Sequence, residues 1–138
     1  MVGKKIKGRK RHIVVDVMGN LLWVFVHAAN IHDTVAGIVP AHGACLRYPR
    51  IEAFCGDRGY RKTFEEDVKL ILNRHIDISE KIKPHGWKLL PKRWVVERTF
   101  SWFNGSRRLS KDYEILSRTS ENIVKISHIC VLLKRLFL

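Results

Sequence analysis

The chain is 138 residues long, 46% apolar, and carries 26 Lys and Arg against 13 Asp and Glu, a formal net charge of +13. That length buries one substantial core rather than two, and the charge excess costs self-repulsion unless a polyanion compensates it, which makes nucleic acid the leading partner. Cys45, Cys55 and Cys130 are isolated and lack CxxC spacing, which suggests neither a disulfide framework nor a zinc finger and fits a reducing cytoplasm. No apolar stretch is long enough to span a bilayer: ICVLLKRLFL, from Ile129, is interrupted by Lys134 and Arg135.

The run GKKIKGRKRH, from Gly3, holds Lys4, Lys5, Lys7, Arg9, Lys10 and Arg11, and reads equally as a disordered basic tail or a DNA contact. Ile13 to Val17 and Leu21 to Ala28 are β-branched apolar runs separated by MGN, a hairpin signal. A helix capped by Asn30 or Asp33 follows, with Val35, Ile38 and Val39 on one side, made short or kinked by Gly37 and Pro40. Ile51 to Cys55 reads as a strand ending in a Gly-Asp-Arg-Gly turn, and Phe64, Val68 and Ile71 or Leu72 recur at helical spacing.

Ile76, Ile78 and Ile82 suit a strand with one buried face, and KPHGWKLLP is a loop. Pro91 to Gly105 reads as a helix with Pro91 near its start, and a last helix begins near RTSEN, capped by Thr119 or Ser120. The order β-β-α-β-α-β-α-α predicts one α/β domain over residues 1–138 with a mixed sheet flanked by helices.

On a helical wheel, Trp102, Val95, Thr99, Phe103, Val96 and Phe100 form the core side of the Pro91–Gly105 segment. Glu97 falls on the opposite side with Arg93 one turn before it, either as a weak ion pair or as a metal ligand among cations that bind phosphates. One carboxylate holds a hard divalent cation poorly. Asp57 is the second candidate because it follows a strand directly, where α/β sheets place their chemistry, although a turn residue before Gly59 is an equal reading. Asp16 reads as lying within a strand, Asp33 as a cap and Asp77 as pointing outward.

The blocks KGRKRHIVVDVMGNLL, AANIHD, GDRGY and RWVVERTFSWFNGSRRLSKDYE resemble consecutive blocks of bacterial insertion-sequence DDE transposases with an RNase H-like catalytic domain. The resemblance implies that Asp57 is the second catalytic acid and Glu97 the third, together holding Mg²⁺ or Mn²⁺. It also implies that Arg93 contacts DNA, and Arg58, Arg107, Arg108 and Lys111 are the further candidate phosphate contacts. The activity implied is strand cleavage and transfer in the bacterial cytoplasm, associated with the nucleoid, with DNA as partner and no membrane. In that family the first catalytic Asp lies on a strand upstream of the block resembling GRKRHI. A Lys often stands where this chain has Asn104. The resemblance therefore implies a C-terminal fragment, lacking the first strand, inactive alone and paired with a second copy or an upstream segment. The alternative is a non-catalytic basic nucleic-acid-binding protein.

Overall fold

The computed structural model describes residues 8–78, 94–109 and 113–137. Strands β1 (Arg9–Val15) and β2 (Leu21–Ala28) pair antiparallel, from Arg9 opposite Ala28 to Val14 opposite Trp23, with a register shift after Val14. The turn between them is built by Asp16. Its carboxylate accepts the N–H groups of Met18 and Asn20, both at 2.9 Å, and the Asn20 amide at 3.0 Å. Gly19 supplies the φ of +85° that the turn needs. Asp16 thus closes a hairpin rather than lying within a strand. The first strand begins earlier than the apolar pattern alone suggests, because Arg9, Lys10 and Arg11 join the ladder; that part of the basic run is not a tail.

The helical stretch after the hairpin is broken in two, α1 (Asp33–Ala36) and α2 (Ile38–Arg47), at Gly37. A Cβ on Gly37 would fall 2.9 Å from the Tyr60 ring and 3.0 Å from Phe64, so the close approach demands glycine. Pro40 sits in the first turn of α2, where its missing N–H has no intrahelical partner to lose. The cap position of α1 is His32, without a side-chain cap bond, so neither Asn30 nor Asp33 caps it.

β3 (Ala53–Gly56) leads through a 3₁₀ turn (Arg58–Tyr60) into α3 (Thr63–Leu70), and β4 (His75–Ile78) returns parallel to β3. Thr34 of α1 ties this unit down: its hydroxyl donates to the Arg61 carbonyl at 2.7 Å and accepts the Phe64 N–H at 3.1 Å. Phe64, Val68 and Leu72 are buried with Ala41 and Phe54, whereas Ile71 is exposed. The segment beyond Ile78, with the expected continuation to Ile82, the KPHGWKLLP loop and Pro91, lies outside the described residues.

Among the described residues the strands form two two-stranded sheets, β1 with β2 and β3 with β4, rather than a single mixed sheet. Among the described residues, no ladder joins β1 to β3. They meet through side chains: Val14 packs against the cluster of Phe54, Phe64 and Val68, and His12 bonds Tyr60. The fold is mixed α/β with small sheets.

Two further helices, α4 (Trp94–Phe103) and α5 (Ser117–Phe137), cover the hairpin. Phe103 and Val124 are buried with Val24, Val26 and Leu109 in a second cluster, and Thr99 is fully buried, as the wheel predicts; Phe100, placed on the same side, is exposed. The N–H groups of Leu21 and Val26 on β2 donate to His128 Nε2 at 3.1 Å and Glu121 Oε1 at 3.0 Å, so α5 satisfies part of the strand's outer edge. That packing explains why α5 starts before Thr119 and Ser120. Ser120 is 1% exposed, a small residue at a close helix–strand contact rather than a cap.

A candidate nucleic-acid interface and acid pair

Asp57 stands at the C-terminal end of β3 and caps the 3₁₀ turn, its Oδ1 accepting the Gly59 N–H at 2.8 Å. A Cβ built on Gly59 would lie 3.0 Å from Asp57 Oδ1 and 3.9 Å from Asp33 Oδ2, so the two carboxylates flank one point above the turn. Asp33 is paired with Lys10 at 2.9 Å and lies 3.8 Å from His12 Nε2. Tyr60, at the end of the turn, bonds His12 Nδ1 through its hydroxyl at 2.6 Å. Burial first, then the charges of Asp33 and Asp57, push the Tyr60 phenol far above its ordinary range, so it keeps its proton. The Asp57 turn is thereby tied, through Tyr60, to His12 in the middle of β1.

Glu97 is exposed in the first turn of α4. The residues following it dock that helix on the hairpin turn. Arg98 Nη2 donates to the Met18 carbonyl at 2.8 Å, and Thr99 Oγ1 donates to the Gly19 carbonyl at 2.9 Å. These contacts tie α4 to the end of β1 away from His12. Tyr60 thus ties the Asp57 turn to the middle of β1, and Arg98 and Thr99 tie the helix of Glu97 to the turn that follows that strand. Among the described residues, no group of three or more His, Cys, Asp or Glu side chains is placed to hold a metal ion. The Asp16 carboxylate is committed to its turn, and Asp77 is exposed on β4.

The two basic clusters of the sequence do come together. Arg11 Nη1 donates to the Leu109 carbonyl at 3.1 Å, and the Arg9 guanidinium donates to the carbonyls of Glu114, at 2.9 Å, and Ile115. The start of β1 is thereby joined to a second 3₁₀ turn, Arg107–Leu109, whose Arg107 and Arg108 are exposed. Arg108 pairs with Glu114 and stacks over the Tyr113 ring. Arg58 is exposed beside Asp57. Arg93 and Lys111 lie outside the described residues. What residue pattern alone misses is the packing of His12, His27 and Tyr60; the one signal for it is that His12 and His27 fall on strands expected to pair. In the observed register His27 lies opposite Lys10, making it a diagonal neighbour of His12.

Among the described residues no helix is long and apolar enough to cross a membrane. A family model described as "Transposase DDE domain" matches residues 2–133. The chain is 34% identical over 118 residues to a "Putative transposase for insertion sequence element IS402" from Burkholderia cepacia, covering 78% of this chain and 54% of that protein. The chain thus spans about half the length of the curated relative it matches. No solved structure gives a significant match.

Proposed function

This chain belongs to the transposase DDE-domain family, and from that premise we propose that it is part of an insertion-sequence transposase that cuts DNA strands and transfers them to new sites. The observation that carries the proposal is the extent of the match, residues 2–133, together with the identity to an insertion-sequence transposase over most of the chain. The physical support is the assembly of Arg9, Arg11, Arg107 and Arg108 in one region of a protein of net charge +13.

In this reading Asp57 and Glu97 are the acids of the chemistry, with Mg²⁺ or Mn²⁺ as cofactor. Asp57 at the end of β3 and Glu97 in the first turn of α4 would hold that ion, which would stabilise charge on the attacking and leaving oxygens. A strand laid between β1 and β3, from a preceding segment of a longer protein or from a second copy, would join the two small sheets into one mixed sheet of RNase H-like kind. The cations then do the binding: Arg58, Arg107 and Arg108, with Arg93 and Lys111, hold backbone phosphates, while water and then a strand 3′-hydroxyl attack a phosphodiester in line. A protein acting on DNA in this way works at the bacterial nucleoid in the cytoplasm.

One observation favours a second reading. The basic clusters from the two ends of the chain are brought together, which also suits a DNA-binding protein without catalysis. Titration of a labelled duplex with the chain, at several salt concentrations, tests the part both readings share. Affinity is expected to fall steeply with salt and to vary little with sequence. A salt-independent affinity, or none, would sink both.

A further inference from the structure

We infer that His12, His27 and Tyr60 form a one-directional hydrogen-bond chain that positions the turn carrying Asp57 against the β-hairpin, and that one added proton reverses its first link. That this turn serves DNA chemistry rests on the reading above; the chain of bonds itself does not.

The direction follows from its far end. The Ala28 carbonyl can only accept, so His27 Nδ1, 2.8 Å away, carries a hydrogen. In neutral His27 the Nε2 atom is then an acceptor. His12 Nε2 lies 2.6 Å from it and must donate. That leaves His12 Nδ1 as an acceptor, and the Tyr60 hydroxyl, at 2.6 Å, donates to it. Every polar atom along the path has one assigned role, in a site where both histidines are 6% exposed. The two imidazoles are nearly parallel, at 10°, and Tyr60 meets His12 edge-on at 72°.

The path links both strands of the hairpin, β1 and β2, to the 3₁₀ turn, which is distant from them in sequence. Tyr60 N–H also bonds the Asp57 carbonyl at 3.1 Å, so a phenol fixed by His12 fixes the backbone that presents Asp57. Tyr60, His12 and His27 are positioning residues in this sense.

His27 Nδ1 and His12 Nε2 already carry hydrogens, so an added proton must displace a donor from His27 Nε2 or from His12 Nδ1. Either way a hydrogen ends on His12 Nδ1, facing Tyr60, because a proton on His27 Nε2 makes His12 Nε2 the acceptor and moves the His12 hydrogen across the ring. Protonation there turns an acceptor into a donor, so the Tyr60 hydrogen must leave the link and find another acceptor. The titratable groups facing His12 are His27 from β2, Asp33 from α1, Lys10 from β1 and Tyr60 from the turn. Burial, then His27, oppose its charge, with Asp33 acting in favour and Lys10 against.

The test is ¹⁵N NMR of the histidine side chains in the whole chain, with hydrogen exchange of the backbone amides. At about pH 7.5 His12 is expected to be neutral with its hydrogen on Nε2, and His27 to carry a hydrogen on Nδ1 with Nε2 accepting. Tyr60→Phe should quicken exchange of the Gly59 amide roughly five- to tenfold and leave the α5 amides unchanged. The opposite tautomer on either ring, a charged His12 at that pH, or unchanged Gly59 exchange in a folded Tyr60→Phe protein would overturn the inference. Should that variant not fold, the wild-type tautomers still decide it. No DNA or metal enters the measurement, so its failure leaves the transposase reading intact, and absent strand cleavage would leave the tautomers intact.

Discussion

Arg11 at the start of β1 and Leu109 after α4 are joined by a hydrogen bond from guanidinium to backbone carbonyl at 3.1 Å. Together with the Arg9 bonds to the Glu114 and Ile115 carbonyls, this contact merges two basic clusters that stand about a hundred residues apart. If the merged surface holds DNA phosphates, each lost contact should lower the slope of log affinity against log salt by about 0.9. Changing Arg107 and Arg108 together to Ala should therefore flatten the slope by up to about two units. Glu114→Gln should act oppositely, because it releases Arg108 from its carboxylate partner. Fluorescence anisotropy across a salt series reads both effects.

Acid should destabilise the fold. His12 and His128 are both held below the ordinary histidine value of 6.5, each by burial first, His12 next by His27 and His128 next by Arg135. An unfolded chain takes up these protons first as pH falls, so it binds more protons than the folded chain, and stability is lost on going below about 6.5. His128 adds a specific loss, because its Nε2 accepts the Leu21 N–H and cannot do so when protonated. Urea midpoints should be lower at about pH 5.5 than at about pH 7.5 with an unchanged slope. Equal midpoints would contradict the assignment.

Gly43→Ala should be costly. A Cβ there falls 2.4 Å from the Trp23 indole, against the rigid ring rather than a flexible chain end. The change should cost about 1–3 kcal/mol by overpacking α2 against β2, although alanine favours helices. Chemical denaturation checks it; a stabilised variant would show that the contact yields.

Thr99→Val tests how α4 is seated. Thr99 is fully buried, and its hydroxyl donates to the Gly19 carbonyl at 2.9 Å. Valine keeps the shape and removes the donor, leaving that carbonyl without this partner, at a cost of about 1–3 kcal/mol. Faster exchange of the Met18 and Gly19 amides should accompany the loss, and unchanged exchange would mean that Asp16 and Arg98 hold the turn without Thr99.

Local pattern carried much of the fold and less of the site. The β-branched runs of the hairpin, the spacing of Phe64, Val68 and Leu72, and the buried Thr99 and Phe103 were all readable, since period reports which face is buried. The start of α5 was not, because Ser120 looks like a cap in sequence and its burial depends on β2. Arg9 and Arg11 look like a tail locally; their carbonyl partners come from the far end of the chain. The relative placement of Asp57 and Glu97 is likewise tertiary, set by Tyr60 bonding His12 and by Arg98 and Thr99 holding the hairpin turn.

The central claim concerns those two acids. The measurement that tests it most directly is DNA strand cleavage with Mg²⁺ or Mn²⁺, by the chain alone and by a longer protein that carries the preceding transposase segment. The chain alone should bind DNA without cutting it, because it offers two of the three acids that the family resemblance implies, and a hard cation needs several oxygen ligands. The longer protein should cut, and Asp57→Asn or Glu97→Gln should each abolish cutting while leaving DNA affinity within about threefold, since the cations supply the binding. Cleavage that survives either substitution, or robust cleavage by the isolated chain, would contradict the account.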